Sequence, residues 1–388
     1  MTKTRILLQN AKVILQSGES ETINLTIENG RIIKTTDDQS IDAETIDVSR
    51  LQLCAGFIDI HNHGAVGVDV NTATANDLRK VGRFLASRGV TAWLPTFVPD
   101  SDEVYRKVIA AIDEVMEKQA DEAIAQIVGV HYEGVFANEK MCGALRPQFF
   151  KTFRSGDEID NLPKLKRGVH LTTLAPEIEN GIELIKELRK QNWIVSIGHT
   201  KADVETLDKA FDAGARHLTH FFNAMTGLHH RETGVVGWAL TKDDATFDII
   251  ADGVHVAPTV LRFGVASKGA DKVSLISDSV APTGLGDGDF HLWGEKISVV
   301  NGKTQNERGS IAGSVMTMLD AVKQMCELGF SDADISKMAS ANPAKLLGIE
   351  ATHGTIETGK RADLVALDEN GKVKLTVIGG KIFTGWTG

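Results

Sequence analysis

Short apolar runs alternate with segments of helical periodicity along most of the chain. Runs of strand length stand at 56–63, 90–97, 128–133, 169–176, 193–199, 216–220, 247–255 and 273–278. Apolar residues recur every three or four positions, as in an amphipathic helix, at 75–88, 103–118, 181–190, 203–213 and 258–267. Strands that alternate with helices favour parallel βα units. Eight such units predict an α/β fold with a closed (β/α)8 barrel of the TIM type.

The two chain ends carry a different pattern, in which polar and apolar residues alternate over short stretches. These stretches lie at 5–16, 22–28 and 31–35, and again at 362–367, 372–378 and 381–384. Neither end has enough strands to bury an apolar face by itself. We therefore predict one small β-sandwich domain built from residues 1–53 and 350–388, beside a barrel domain of residues 54–349.

Histidines and carboxylates stand at the ends of five apolar runs. The first run ends in His61 and His63, which project to the same face of a strand because they are two residues apart. The other four runs end in single candidate ligands, which are Glu133, His199, His220 and Asp278. Catalytic groups of such barrels lie at the carboxyl ends of the strands. We therefore predict that all six side chains meet at one mouth of the barrel.

Four imidazoles and two carboxylates exceed what one tetrahedral catalytic ion needs. They suit two metal ions that share a carboxylate, or one tightly held ion beside a weaker site. Nitrogen and oxygen ligands fit zinc, iron, manganese or cobalt, and the residues leave that choice open. A bound ion lowers the pKa of water from 15.7 to about 7 and polarises a carbonyl group. Asp278, on the last strand, is placed to take the proton of that water and return it to a leaving amine.

Charge and cysteine content narrow the class of protein. The chain of 388 residues has a net charge of −10, which disfavours nucleic acid and anionic membranes as partners. No window approaches the ~20 apolar residues of a membrane span, and the first residues lack a signal-peptide pattern. Three cysteines without a Cys-x-x-Cys spacing indicate neither a disulfide framework nor a thiolate metal site. We expect a cytoplasmic protein that binds neither nucleic acid nor membrane.

Several longer motifs resemble those of a known group, the amidohydrolase superfamily, and more narrowly its N-acetylglucosamine-6-phosphate deacetylases. The matching stretches are HYEGVF at 131–136, GHT at 198–200, THFFNAM at 219–225, HHRETG at 229–234, ADGVH at 251–255, SDS at 277–279 and GSIAGS at 309–314. Glu133 stands in place of the carboxylated lysine that many members of the superfamily have on the fourth strand. The resemblance extends over essentially the whole chain.

That resemblance implies roles for the five metal-ligand candidates. Glu133, His199 and His220 match the residues that hold the main ion. His61 and His63 match a pair that supports a second ion and that some members lack. One or two divalent transition metal ions per chain are therefore expected.

The resemblance also implies a catalytic residue and a set of substrate contacts. Asp278 matches the catalytic acid and base. The positions that match substrate-binding residues are Ala144, Leu145, Asn223, Ala224, Arg231, Asp252, His255, Ile311, Ala312 and Gly313. Arg231 suits a sugar phosphate because a guanidinium group binds phosphate through a fork of donors. Some phosphate contacts of the family cross a dimer interface, which implies a homodimer here.

The implied activity is hydrolysis of the N-acetyl group of N-acetyl-D-glucosamine 6-phosphate. Two residues depart from the family pattern: Leu145 replaces a polar residue that is often histidine, and Val135 replaces a proline. Alternatives are therefore the galactosamine epimer or an unphosphorylated N-acetyl hexosamine. Another amidohydrolase reaction, such as opening of a cyclic amide or deamination, shares the metal chemistry. A barrel without enzymatic activity would be expected to have lost ligands, and all six are present. A metal-storage role has no supporting feature, because an open site with an acid and base is what hydrolysis needs.

Overall fold

The computed structural model describes residues 5–14, 20–33 and 43–385, apart from the side chain of Asp157. The expected ends of two N-terminal strands, at residues 16 and 35, lie outside the described residues, as does the outermost part of both chain ends.

The predicted barrel is confirmed. Its eight parallel strands are Phe57–Asn62, Val90–Phe97, Gly129–Phe136, Val169–Leu174, Ile194–Ile197, His217–Leu218, Thr246–Ile250 and Val273–Ile276. Each strand pairs with the next one along the chain, and Gln126–Ile127 adds a short strand beside the second. Just beyond the strand ends, the Asp278 amide donates to His61 O at 3.0 Å and the His63 amide donates to Ser279 O at 2.8 Å. These bonds close the ring between the first and the eighth strand.

Several barrel strands are shorter than the sequence predicts, the sixth and the seventh among them. The sixth comprises only His217–Leu218, and the seventh ends at Ile250 rather than at residue 255. At the sixth strand, the left-handed backbone of His220 (φ 34°) interrupts the ladder. After the seventh, the Asp252 carboxylate accepts hydrogen bonds from the amides of Val254 and His255. Such side-chain bonds to the local backbone replace the pairing that a strand requires.

The five predicted helices are confirmed to within one residue at each end, as Ala75–Ser87, Asp102–Lys118, Gly181–Lys190, Val204–Asp212 and Pro258–Lys268. Further helices are Asp157–Asp160, Gly234–Thr241, Met318–Glu327, Asp332–Ser336 and Asn342–Leu346, with a π-helical turn at Lys337–Ala341. Thr74 and Asp77 form a reciprocal capping box at the first helix, which satisfies amides that have no partner within the helix. Among all described residues, no helix is both long enough and apolar enough to cross a bilayer.

The small β domain is built from both chain ends, as predicted. Its strands form one hydrogen-bonded sheet, in the order Lys381–Ile382, Val373–Ile378, Leu364–Leu367, Gln52–Ala55, Arg5–Ile14, Ser20–Glu28 and Arg31–Ile33, with Glu44–Asp47 also paired to Arg5–Ile14. The two ends meet where Gln52–Ala55 pairs antiparallel with Leu364–Leu367. Leu8, Leu25 and Val377 lie in its shared apolar core. The domain boundaries near residues 53 and 350 stay a prediction.

A three-stranded antiparallel sheet follows the eighth barrel strand and was not predicted. Its strands are Gly288–Leu292, Glu295–Val300 and Lys303–Asn306. A two-stranded hairpin, Gly64–Ala65 and Val68–Asp69, follows the first barrel strand. Both sheets extend the mouth at which the barrel strands end.

Tight contact between barrel strands leaves no space for a side chain at Gly129. A Cβ atom there would lie 2.2 Å from Val169 O in the neighbouring strand. We expect Gly129→Ala to lower the free energy of unfolding by about 1–3 kcal/mol, the usual cost of overpacking. Gly227→Ala is the control, because no atom lies within 4 Å of its added Cβ. Denaturant titrations check this, and equal midpoints for the two variants would contradict it.

Candidate active site

Three of the predicted ligands follow their strands in a strained backbone conformation. His199, His220 and Asp278 have φ angles of 48°, 34° and 49°, in the left-handed region that side chains other than glycine rarely adopt. Each such residue costs on the order of 1 kcal/mol and persists because surrounding contacts hold it. The His220 amide donates to the buried carboxylate of Asp248, and Ser314 N donates to Asp278 O at 2.7 Å. The turns direct all three side chains across the barrel mouth.

All six predicted ligands converge, as the sequence predicts. Nε2 of His199 lies 3.1 Å and Nε2 of His220 lies 2.9 Å from Glu133 Oε1. Nε2 of His63 lies 3.3 Å from Glu133 Oε2. Nε2 of His61 lies 3.1 Å from Nε2 of His63, and Nε2 of His199 lies 3.1 Å from Nε2 of His220. Glu133 therefore lies between two histidine pairs, in the position of a shared carboxylate.

Asp278 lies on the His61 and His63 side of this cluster. Its Oδ1 is 3.4 Å from His61 Nε2 and 3.3 Å from His63 Nε2. The side chains of His61, His63 and Glu133 are almost fully buried, and Asp278 is only slightly more exposed. One carboxylate thus stands beside the cluster and within reach of a group bound above it.

The donor set fits a divalent transition metal. Nδ1 of His63 lies 3.1 Å from Thr96 O, and Nδ1 of His199 lies 2.8 Å from Met141 O. A carbonyl oxygen only accepts, so Nδ1 carries the proton in each neutral ring and the Nε2 lone pair faces the cluster. These lone pairs and the Glu133 oxygens lie within 4.8 Å of one another in two groups. Acceptors that face acceptors in this way are stabilised by positive charge among them, which protons or a divalent metal ion can supply.

The charges of the cluster lead to the same conclusion. Burial alone would lower the pKa of His63, but contacts with Asp278 and Glu133 outweigh burial and raise that pKa to about 10. Burial would also lower the pKa of His220, but contacts with Glu133 outweigh burial and raise that pKa to about 9. Burial would raise the pKa of Glu133, but the nearby imidazoles, His61 foremost, hold it well below its usual range. The buried carboxylates therefore stay ionised and attract positive charge.

A cavity of about 330 Å³ opens directly above the cluster. Its floor includes His63, Glu133, His199, His220 and Asp278. The volume is at the lower end of the range for small-molecule sites. A polar substrate of monosaccharide size can therefore reach both the cluster and Asp278.

Comparison with known proteins agrees with this geometry. The sequence pattern of the amidohydrolase family matches residues 53–383. The chain belongs to the amidohydrolase family. It is 36% identical to the N-acetylgalactosamine-6-phosphate deacetylase of Escherichia coli O157:H7, over 85% of this chain and 87% of that one. It is 35% identical to the N-acetylglucosamine-6-phosphate deacetylase of Bacillus subtilis, over 85% and 84%.

A solved structure extends the similarity to the fold of the whole chain. The N-acetylglucosamine-6-phosphate deacetylase of Thermotoga maritima superposes with a TM-score of 0.88 at 31% sequence identity. The superposition covers 98% of this chain and 100% of the other. The barrel and the β domain made from both chain ends are thus arranged as in that enzyme.

Most of the predicted substrate contacts of this amidohydrolase line the cavity. They are Ala144, Leu145, Asn223, Ala224, His255, Ile311 and Gly313. Asp252 stands behind His255, whose Nδ1 lies 2.7 Å from Asp252 Oδ2. Nδ1–H of His255 therefore donates to that carboxylate, and Nε2 is left for a ligand. Asp252 orients a residue of the cavity wall and does not itself line the cavity.

Two predicted contacts lie outside the cavity lining. Ala312 is fully buried and packs against the three-stranded sheet. Arg231 is exposed on the loop that follows Asn223, and its Nη1 donates to His230 Nε2 at 2.7 Å. The roles of both residues stay predictions.

Two parts of the site were missed by sequence reasoning. Trp293 lines the cavity, and its ring meets that of His63 edge-on, with the ring centroids 5.2 Å apart. The alternating residues around Trp293-Gly294 and Asn301-Gly302 were the available signal, since such pairs mark hairpin turns. Asp59 is buried beneath the cluster and accepts from Ser277 Oγ at 2.6 Å. In the sequence, the available sign of Asp59 was a carboxylate within an otherwise apolar strand.

Replacing one histidine at a time should distinguish the two metal positions of the cluster. We expect His199→Ala to lose the main ion and nearly all activity, because His199 and Glu133 lie on that side. His61→Ala should lose at most one ion per chain. Elemental analysis of the purified variants checks both, with His291→Ala as the control because His291 is an exposed hairpin residue. Full metal occupancy in a His199→Ala/His220→Ala protein would falsify the assignment.

Proposed function

We propose that this amidohydrolase hydrolyses the N-acetyl group of N-acetyl-D-glucosamine 6-phosphate, giving D-glucosamine 6-phosphate and acetate. The observation that carries the proposal is the position of Asp278, whose Oδ1 lies 3.3 Å from His63 Nε2 at the floor of the cavity. The names of the similar enzymes support the substrate class, because they are deacetylases of N-acetylated hexosamine 6-phosphates.

One or two divalent ions of zinc, iron, manganese or cobalt belong to the proposal. Glu133, His199 and His220 would hold the main ion, and His61 and His63 would hold a second. Such an ion, when bound, supplies the Lewis acidity that polarises the amide carbonyl and acidifies the attacking water.

Asp278 performs the proton transfers. Burial would raise its pKa, but the His61 and His63 imidazoles outweigh burial and hold that pKa below its ordinary value. The carboxylate is therefore ionised and can accept a proton from water as the oxygen attacks the acyl carbon. It then returns the proton to the nitrogen as the C–N bond breaks, so that the amine leaves uncharged. The fixed backbone of Asp278 keeps the carboxylate in place for both transfers.

Residues after the sixth and seventh strands bind the sugar. Asn223 and His255 line that side of the cavity, and Asp252 fixes the His255 ring. Arg231 stands farther out on the same side and carries the positive charge that a 6-phosphate requires. The sugar ring thus lies between the amide group at Asp278 and the phosphate at Arg231.

An activity screen tests the proposal. Acetate release is measured for N-acetylglucosamine 6-phosphate, its galactosamine epimer and unphosphorylated N-acetylglucosamine, and ring opening is measured for a cyclic amide. We expect the first substrate to have the highest kcat/KM. The epimer is the closest competitor, because the relative at 36% identity is named for it. A higher value for the epimer would reassign the substrate, and activity only on the cyclic amide would refute the deacetylase function.

Replacing the proton carrier should slow turnover and spare binding. We expect Asp278→Asn to lower kcat by about 10²–10⁴-fold, the usual contribution of general acid–base catalysis. Asp289→Asn removes an exposed hairpin carboxylate and serves as the control. Steady-state rates and calorimetric affinities check this. An Asn variant with more than about a tenth of the wild-type kcat would contradict the role, because one decade is only ~1.4 kcal/mol of barrier.

Replacing the phosphate contact should affect only phosphorylated substrates. We expect Arg231→Met to lower kcat/KM by about ten- to a hundredfold, equivalent to about 1.5–3 kcal/mol for a charge-assisted contact. Arg106→Met is the control, since Arg106 is exposed on the helix Asp102–Lys118. An equal loss with unphosphorylated N-acetylglucosamine would exclude Arg231 as the phosphate contact.

The proposal also includes a cytoplasmic homodimer. All three cysteines are free, which suits a reducing compartment. Exposed Leu228 and Arg231 lie on one loop beside the mouth, where a second chain could complete the phosphate site. Light scattering on the purified protein measures the mass that decides between monomer and dimer.

A further inference from the structure

Trp293 occupies an unusual position for a large aromatic residue. It stands in the two-residue turn between Gly288–Leu292 and Glu295–Val300, followed by Gly294. The φ angles are 54° for Trp293 and 83° for Gly294, as in a type I′ turn, where asparagine and glycine are the usual residues. A bulky side chain in the left-handed region is a strained outlier. Such strain at the wall of a cavity points to a role for the side chain itself.

The Trp293 ring reaches from the hairpin to the catalytic cluster. Its centroid is 5.2 Å from that of His63, with the ring planes at 77°. It also packs against two apolar groups, one that contains Ala144 and one that contains Leu145. The indole therefore covers the His63 side of the cavity and joins the hairpin to the loop after the third strand.

Leu145 continues the same wall beside Glu133. It is 3% exposed and lines the cavity. Its Cδ1 lies only 2.2 Å from where a Cβ on Gly134 would stand. Gly134 therefore makes room for the leucine next to the metal-ligand candidate. The leucine offers no hydrogen bond, so whatever it contacts in a substrate is apolar.

The cavity consequently has two chemically different sides. Asn223 and His255 follow the sixth and seventh strands, whereas Leu145 follows the third, on the opposite part of the ring. Half-buried Ile311 and Ser310 also line the cavity. A carbonyl carbon at Asp278 bears the sugar nitrogen in one direction and the acyl chain in the other. If the sugar lies on the polar side, the acyl chain lies against Trp293 and Leu145.

We propose that Trp293 and Leu145 form an acyl wall that restricts this enzyme to short N-acyl groups, acetyl above all. The inference rests on the proposed deacetylase function and adds the residues that set its acyl specificity. An acetyl methyl group fits between the carbonyl carbon and the wall. Each further methylene of an N-propionyl or N-butyryl group must displace the indole or the leucine. One methylene in an apolar pocket typically changes specificity about tenfold or more.

The test is a series of substrates with increasing acyl length. kcat/KM is measured for N-acetyl-, N-propionyl- and N-butyrylglucosamine 6-phosphate with the wild type, Trp293→Ala and Leu145→Ala. We expect the wild type to prefer acetyl, and each variant to raise the butyryl-to-acetyl ratio at least about tenfold. Leu145→Ala opens the wall from a different element, which keeps the test decisive if Trp293→Ala does not fold. Val300→Ala, at an exposed position of the same hairpin, should leave the ratio unchanged.

A binding measurement removes turnover from the comparison. Calorimetry gives the affinity of the N-butyryl substrate for Asp278→Asn and for Asp278→Asn/Trp293→Ala. We expect tighter binding to the double variant, by about the same factor as the change in ratio.

The outcomes distinguish failure of the acyl wall from failure of the proposed deacetylase function. An active wild type whose Trp293→Ala and Leu145→Ala variants lose all substrates in equal proportion overturns the acyl wall and leaves the deacetylase function standing. That result would make Trp293 a support for His63 alone. A wild type that releases no acetate from any hexosamine derivative overturns the proposed function and the wall together.

Discussion

Closure of the barrel between its first and eighth strands is the constraint on which the site depends. Asn62 Nδ2 donates to Ser279 Oγ at 2.7 Å across 217 positions of sequence, and buried Asp59 accepts from the Ser277 hydroxyl. Burial raises the pKa of Asp59 although its hydrogen bonds from Ser277 and Asn62 oppose the rise. The network is thus buried, where a hydrogen bond is stronger than in water. It sets the distance from His61 and His63 to Asp278.

The cluster brings many hydrogen-bond acceptors close together, and the fold alone does not stabilise this arrangement. Imidazole lone pairs and two carboxylates face one another in a buried space, and three of the residues have left-handed backbones. The left-handed backbones lower stability, and so do buried acceptors that face one another without positive charge between them. The rest of the barrel offsets this cost through close packing of its strands and helices. The same arrangement gives a cation a ready-made set of ligands, which is how destabilised residues become useful at an active site.

The two sides of the cavity divide the recognition of a substrate. Asn223 and His255 present polar groups after the sixth and seventh strands, and Asp252 holds the His255 ring through a 2.7 Å hydrogen bond. The opposite side is formed by Leu145 and Trp293, which come from two separate insertions. A polar substituent of the amide carbonyl is therefore expected on the side of Asn223 and His255, and an apolar one on the side of Leu145 and Trp293. The catalytic cluster does not have to discriminate between the two substituents.

The sequence by itself determined the eight-stranded barrel, five of its helices and all six residues of the cluster, because the spacing of apolar residues and the residues at strand ends are local properties of the chain. His61 and His63 illustrate this, since their spacing alone places both rings on one face. Only the tertiary structure decided what depends on contacts between distant segments. Arg231 lies outside the cavity lining, and Asp252 acts through His255. Trp293 reaches His63 from a hairpin more than two hundred residues later. Such contacts are set by how loops fold over the mouth, and no local pattern encodes that.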